Sequence, residues 1–349
     1  MKPPGDAVLD HLRVEPFVRD LVGARALATA LELGLLDRVA ELDQLPIDGL
    51  AARLGTAPAG LKLLLDLLDA GGVTRSSIDA ITFTPEFREA WKYRDLIETK
   101  LDFAAAVLAD FHEDFRQLLT DPGGFIRRSR TYELFRYDLC LAESPAALDR
   151  ARRWMRITTG YTRYEAPVLI DCLDLSTHRR SLDVGGNSGE LSLALCRANP
   201  TLDALVLDLP AVCRVGREHV DRYPEGRRIA FRTGSALTDA LTDAQPGDRD
   251  LITFKSMLHD WPDREATTML ERAAAALPSG GRLVVFERGT FAFGGKLPGY
   301  ALIPCVLFLH CYRESAWYVR ALEQVGLVDV EAFELQLDSP FLIVTGRKA

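Results

Sequence analysis

From Val14 to about Arg75, apolar residues recur at three- and four-residue steps, as in VRDLVGARALATALELGLLDRVAEL. That spacing gathers them on one face of successive helices. The next stretch, LPIDGLAARLGTAPAGLKLLLDLLDAGGVTR, predicts a short helix after Pro46, a turn at Gly55 to Pro58, a second apolar helix, and a stop at the Gly-Gly before Val73. With a short strand over Ile81 to Thr84, it outlines a helix-turn-helix followed by a wing. Helical spacing continues through LDFAAAVLADFHEDFRQLL and through SPAALDRARRWMRITTGYTRYEAPVLIDCL, where Ser144 is placed as an N-cap before Pro145.

After Ser181 the pattern changes to short apolar runs alternating with amphipathic stretches. Strands are predicted at Ser181 to Val184, Ala204 to Leu207, Ile229 to Arg232, Leu251 to Lys255, Arg282 to Glu287, Val328 to Glu334 and Phe341 to Thr345. Helices fall between them at about Glu190 to Ala198, Ala211 to Val220, Arg264 to Ala276 and Ala316 to Gln324. Such alternation implies a mostly parallel sheet covered on both faces. The last two strands are joined by Leu335 to Pro340, too short for a crossover helix, so they are expected to pair antiparallel. The fold class is α/β, a Rossmann-like domain with a mostly parallel seven-stranded sheet preceded by an all-α winged-helix domain. The expected divisions are 1–100, a helical connection over 101–170, and 171–349.

Composition narrows the partners. The 349 residues give room for about two domains. A formal charge of -8 argues against a nucleic-acid polyanion. The second helix of the winged motif, APAGLKLLLDLLDAGG, offers leucine where a base-reading helix needs Arg, Lys, Asn or Gln. It reads as a surface for self-association, and a DNA-binding regulator with a degenerate ligand domain is the non-enzymatic alternative. No apolar run approaches the length of a membrane span, and MKPPGDAVLDHL lacks the apolar core of a signal peptide, so a cytoplasmic location is expected. The six cysteines show no C-x-x-C spacing and read as buried free thiols rather than a zinc site or disulfide framework. Phe103, Phe111, Phe115, Trp154, Tyr161 and Tyr164 concentrate in the central helices, as core residues or as one wall of a substrate pocket.

The richest segment chemically is SLDVGGNSGELSLALCRANPTLDALVLDLP, Ser181 to Pro210. It reads as strand, glycine turn (Gly185, Gly186, Gly189), helix and second strand ending at Asp208, where a carboxylate can take both hydroxyls of a ribose. The spacing fails the dinucleotide pattern G-x-G-x-x-G in either register, because Asn187 and Glu190, or Ser188 and Leu191, stand where glycine is required. Glu190 also puts negative charge where a pyrophosphate would sit, and there is no G-x-x-x-x-G-K-[ST]. Asp183, just before the turn, suits instead a ligand bearing an ammonium group. The glycines alone are also compatible with an ordinary strand-to-helix turn.

Three further motifs in fixed order carry a resemblance. LDVGGNSG, LVLDLPAV and FKSMLHDWPD, followed by LPSGGRLVVFE, resemble the signatures of small-molecule O-methyltransferases of the plant caffeate and bacterial polyketide-tailoring type. That family joins a winged-helix dimerisation domain to a Rossmann-like domain binding S-adenosylmethionine. The resemblance implies a homodimer through the N-terminal domain and transfer of a methyl group to a hydroxyl of a small aromatic or polyketide-like metabolite. It implies that Asp183, Gly185, Gly186 and Gly189 shape the pocket for the methionine end, that Asp208 binds the ribose, and that Leu209, Ser235 and Lys255 lie near the cofactor. It further implies His259 as general base, Asp260 as its partner and Glu287 as the carboxylate that orients it. Without the resemblance, His259 reads as a structural histidine, Trp261 as packing, and Glu287 beside Arg288 as a surface ion pair.

The chain departs from the family at three points. Asn187 replaces the third glycine of the turn, Ser235 replaces an aspartate on the adenine side, and Tyr312-Arg313-Glu314 stands where Glu-Arg-Thr is expected. Tyr312 thus replaces the second carboxylate flanking the histidine, unless Glu314 serves from a shifted position, and His310 is a further candidate for the substrate pocket. His310, Cys311 and Tyr312 with His259 and Asp260 do not form a recognised metal motif, and no metal is expected. The departures leave open C-methylation, or a decarboxylase, hydroxylase or pericyclase using the bound sulfonium electrostatically.

Overall fold

The computed structural model describes residues 1–239, 241, 248–291 and 297–349. It divides into two compact units: Asp10–Glu113 with Phe293–Val306, and Met1–Leu9 with Asp114–Ala292 and Leu307–Ala349.

The smaller unit contains helices α1 (Leu21–Glu32), α2 (Leu35–Leu42), α3 (Leu50–Arg53) and α4 (Pro58–Ala70). Asp20 caps α1 by accepting from the Gly23 amide, satisfying a donor the helix leaves open. Strands β1 (Leu45–Pro46), β2 (Thr74–Ser76) and β3 (Ala80–Phe83) form a small antiparallel sheet in the order β1-β3-β2, the expected wing strand with two more added. Leu61, Leu64, Leu65 and Leu68 lie in the core, while Leu63 is exposed. The 27-residue helix α5 (Arg94–Thr120) then carries the chain into the larger unit.

In the larger unit, α6 (Pro145–Cys172) begins at the expected cap, where Ser144 Oγ accepts from the Ala147 amide at 3.2 Å. Strands β4 (Arg180–Val184), β5 (Asp203–Asp208), β6 (Ile229–Thr233), β7 (Leu251–Lys255), β8 (Arg282–Arg288), β9 (Leu327–Gln336) and β10 (Pro340–Lys348) form one sheet. Its order is β6-β5-β4-β7-β8-β10-β9. The first five strands are parallel, and β10 runs antiparallel to both β8 and β9, as the short connection requires. β4, β5, β7 and β8 are buried almost end to end, which is why they read as continuous apolar runs. Helices α7 (Glu190–Ala198), α8 (Pro210–Val220), α9 (Asp263–Ala276) and α10 (Ser315–Gln324) match the predicted positions. The N-terminal residues belong to this unit: Lys2 donates its amide to Cys172 O, and Gly5 to Asp171 Oδ2 at 2.6 Å.

Strand order reverses between β4 and β7. Crevices at such switch points, beyond the carboxyl ends of the strands, are where open α/β sheets hold ligands. The turn after β4 carries Gly185 to Gly189, and the turn after β7 carries Ser256 to Asp260. The fold therefore brings the glycine turn and the histidine loop side by side, although some seventy residues separate them in sequence.

No helix among the described residues is long and apolar enough to cross a membrane. All six cysteines are free; five are buried and Cys311 is half-buried.

Candidate active site

The glycine turn alternates into left-handed backbone, with φ of 66° at Gly185, 55° at Asn187 and 77° at Gly189. Asn187 adopts the conformation that a third glycine would, at the modest strain asparagine tolerates. Gly186 has a packing reason to lack a side chain, since a Cβ there would lie 2.6 Å from Asp183 Oδ2. Asp183 itself sits beneath the turn. It is 1% exposed, accepts from Thr253 Oγ1 at 2.9 Å and Ser192 Oγ at 3.3 Å, and burial pushes its carboxyl up to about 7. With both oxygens held by hydroxyls, Asp183 braces the turn from below.

Two further acceptors lie beside the turn. Asp208 Oδ2 accepts from the Asn187 amide at 2.8 Å and Oδ1 from the Leu209 amide at 2.7 Å, and burial raises this carboxyl to about 6. Asn187 Nδ2 donates to Thr158 Oγ1 on α6 at 3.0 Å, whereas Asn187 Oδ1 is buried without a hydrogen-bond partner. An unmet buried acceptor beside a carboxylate raised by burial is a donor-seeking arrangement. S-adenosylmethionine offers matching donors, an ammonium group and two ribose hydroxyls, so these residues fit it. Just after β6 the Ser235 amide donates to Asp239 Oδ2 at 2.8 Å, so a carboxylate four positions later folds back onto the turn that bears Ser235.

The histidine loop is fixed by one carboxylate. Glu287 is 0% exposed; its Oε1 accepts from the Met257 and Leu258 amides, each at 2.8 Å, and its Oε2 from His259 Nδ1 at 2.7 Å. This excludes the surface ion pair with Arg288. The Nδ1 proton is committed to Glu287, so in the neutral ring the lone pair is on Nε2. Asp260 Oδ1 lies 3.4 Å from that nitrogen, and Asp260 Oδ2 accepts from the Tyr137 hydroxyl at 2.7 Å. Burial opposes the charged form of His259, but Glu287 and Asp260 outweigh it and hold the imidazole above its ordinary range. Burial raises Asp260, whereas His259 and the two amides overcome burial to hold Glu287 below its ordinary range. Ser256, just before the loop, is in left-handed backbone with φ of 49°, and its buried Oγ has no partner.

Arg313 clasps the loop from outside. Its Nη1 donates to Leu258 O at 2.9 Å, its Nε to Asp263 Oδ1 at 2.8 Å, and its guanidinium lies 4.6 Å from the centre of the Trp317 ring. The residue before it, Tyr312, is buried with its ring 5.4 Å from the His259 ring, edge to face. His310 and Glu314 are exposed, so the structure brings only Tyr312 of these three beside the histidine. Glu314 lies at the N-cap of α10, and the second carboxylate facing His259 is Asp260. Lys255 pairs with Glu165 of α6, whose other oxygen accepts from Arg288 Nη2 at 2.6 Å. Trp261 is half-buried against the strand core, as packing.

Three participants escaped the sequence reading. Tyr137 lies in a one-turn 3₁₀ helix, Tyr137–Cys140, too short for any periodicity to mark it. Thr158 and Glu165 are polar positions inside a long helix, where the pattern gives no sign of a partner. Around Tyr137, the rings of Phe135, Trp154, Tyr132 and Phe308 form an aromatic cluster with neighbouring centres 4.9 to 6.5 Å apart. Among the described residues, no group of three His, Cys, Asp or Glu side chains is placed to hold a metal ion.

Residues 146–292 match the O-methyltransferase domain family. Acetylserotonin O-methyltransferase of Bos taurus is 25% identical over 78% of this chain and 79% of its own length. L-tyrosine C(3)-methyltransferase of Streptomyces lavendulae is 28% identical over 82% of this chain and 76% of its own. Among solved structures, the apo form of the S-adenosylmethionine-dependent methyltransferase SibL superposes with a TM-score of 0.66 at 25% identity, covering 93% of this chain and 95% of that one.

Proposed function

Since this chain belongs to the O-methyltransferases that take their methyl group from S-adenosylmethionine, we propose that His259 is the general base that prepares a hydroxyl of a small aromatic metabolite for methylation. The observation that carries this reading is the commitment of His259 Nδ1 to the buried Glu287, which leaves Nε2 as the proton acceptor.

When bound, S-adenosylmethionine supplies an electrophilic methyl on a sulfonium. The chain's own task is to align an acceptor and remove its proton. A phenol titrates near pH 10, and an imidazole held above its ordinary value is a closer match to it than a free histidine. Asp208 is assigned to the ribose hydroxyls, the backbone of Gly185, Gly186 and Gly189 to the methionine end, and Asn187 Oδ1 to its ammonium. Leu209, Ser235 and Lys255 are assigned to the rim of the same pocket. Tyr312 and the aromatic cluster about Tyr137 supply flat apolar walls, which suit an aromatic acceptor.

C-methylation is a second reading, favoured by the likeness to a tyrosine C(3)-methyltransferase. Deprotonating a phenol activates its ring carbons as well as its oxygen, so the same base serves either outcome. Dimerisation through the smaller unit is part of this proposal.

The test is His259→Ala. Methyl transfer to a phenolic acceptor is expected to be lost while S-adenosylhomocysteine still binds by calorimetry, and a fully active variant would remove His259 from the reaction.

A further inference from the structure

Asp260 is reached by two groups from different parts of the chain. One of its oxygens lies 3.4 Å from His259 Nε2 and the other accepts the Tyr137 hydroxyl at 2.7 Å. We propose that Tyr137 is a positioning residue, whose hydroxyl pins the Asp260 carboxylate beside the Nε2 face of His259 so that the imidazolium formed by proton removal meets a fixed anion. The proposal rests on His259 being the base.

A carboxylate joined to its chain by two rotatable bonds keeps one oxygen on a neighbour only if something holds the other. Here the holder is itself held. The Tyr137 ring lies 5.7 Å from Trp154, edge to face, and 6.5 Å from Phe135, so aromatic packing sets where its hydroxyl points. Burial, first, and then the charge of Asp260 keep the Tyr137 hydroxyl protonated well above the ordinary phenol range, so it remains a donor throughout the working range of the enzyme. An anion fixed before reaction costs no reorganisation when positive charge develops on His259.

The surroundings of this pair are charged on several sides. His259 is faced by Glu287 from β8, by Asp260 and by the Tyr312 ring, with the Arg288 guanidinium opposing at longer range. Asp260 is faced by Tyr137 and His259, with Glu287, the Tyr132 hydroxyl and the Cys311 thiol within electrostatic reach. Asp208 also acts on Tyr137 at longer range. In this setting the hydroxyl sets the direction of the Asp260 carboxylate, and that direction sets how strongly the anion favours His259 in its charged form.

The experiment is Tyr137→Phe, which keeps the ring in its cluster and removes only the hydroxyl. The expected kcat is lower by about tenfold. The acid limb of the kcat profile is expected about half a pH unit lower, because His259 loses part of its anionic support. Affinity for S-adenosylhomocysteine and the melting temperature should stay near those of the parent enzyme. Asp260→Asn is expected to reproduce both changes, and the double variant Y137F/D260N to be no slower than D260N alone, since the hydroxyl acts through Asp260. An unmoved acid limb with kcat within twofold of the parent overturns the proposal, as does additivity of the two substitutions. If His259→Ala abolishes transfer and Tyr137→Phe behaves as the parent, only the positioning role fails. If His259→Ala is fully active, the assignment of the base fails and this inference with it.

Discussion

His259 Nδ1 lies 2.7 Å from Glu287 Oε2, and the other oxygen of the same carboxylate accepts the amides of Met257 and Leu258. One buried group thus sets both the path of the loop and the tautomer of the ring. In Glu287→Gln the amide nitrogen cannot accept what both oxygens accept in the parent. We expect kcat to fall on the order of a hundredfold with S-adenosylhomocysteine affinity retained. Steady-state kinetics paired with calorimetry check this, and an unchanged kcat would sink the orienting role.

The same pair links pH to stability in two directions. His259 is held above its ordinary value of 6.5, so its contribution is complete below that value and is lost as pH rises through the folded value. Glu287 is held below its ordinary 4.5, so its contribution is complete above that value and is lost as pH falls through the folded value. The pair is therefore strongest between these two ordinary values. Transfer needs the neutral ring, so activity should rise over the range in which the stabilisation fades. The difference in melting temperature between parent and His259→Gln is expected to shrink from about pH 6 to about pH 9. A difference that stays constant over that interval contradicts the linkage.

Asp208, raised by burial to about 6, gives the cofactor pocket its own pH dependence. A ligand that donates hydrogen bonds to the carboxylate favours its ionised form. S-adenosylhomocysteine should therefore bind more tightly as pH rises through that value and should release protons when it binds there. Calorimetry in two buffers of different ionisation enthalpy reads the proton count directly. Asp208→Asn is expected to weaken binding by about 10–100-fold and to remove the dependence. Equal proton release by parent and variant would dissociate Asp208 from the ribose.

Glu165 is the shared anion of Lys255 and Arg288, and all three are largely buried. Removing its charge takes away the carboxylate that the two cations share. Glu165→Gln should lower unfolding stability by about 3–5 kcal/mol at neutral pH, read by urea denaturation. Because this carboxyl is held below its ordinary value, the loss should diminish as pH falls through the acid range in which the parent itself is protonated. A variant as stable as the parent at neutral pH would mean that the two cations are satisfied elsewhere.

The fold was legible wherever burial imposes a period or continuity on the sequence. All seven strands of the large sheet, and the four helices predicted among them, lie within three residues of their expected bounds. Most pack against a core that dictates their pattern, whereas β9, at the sheet edge, is largely exposed. The candidate site was marked by motifs that the structure places at the ends of β4, β5, β7 and β8, each a few consecutive residues. Tyr137 and Glu165 were not legible, because their importance depends on partners 123 and 90 residues away. Local sequence does not encode such meetings. His310 and Glu314 flank Tyr312 in sequence but are exposed where Tyr312 is buried, a difference that the sequence there does not announce.

Met257 lies over Gly185, where a Cβ on the glycine would stand 2.9 Å from the methionine Cε. The loop bearing the proton acceptor thus rests on the turn assigned to the methyl donor through an unbranched, pliable side chain. Residue 257 is in effect a spacer between the histidine loop and the glycine turn. The spacing of the two loops thus passes through one apolar residue, Met257, whose side chain neither binds nor ionises.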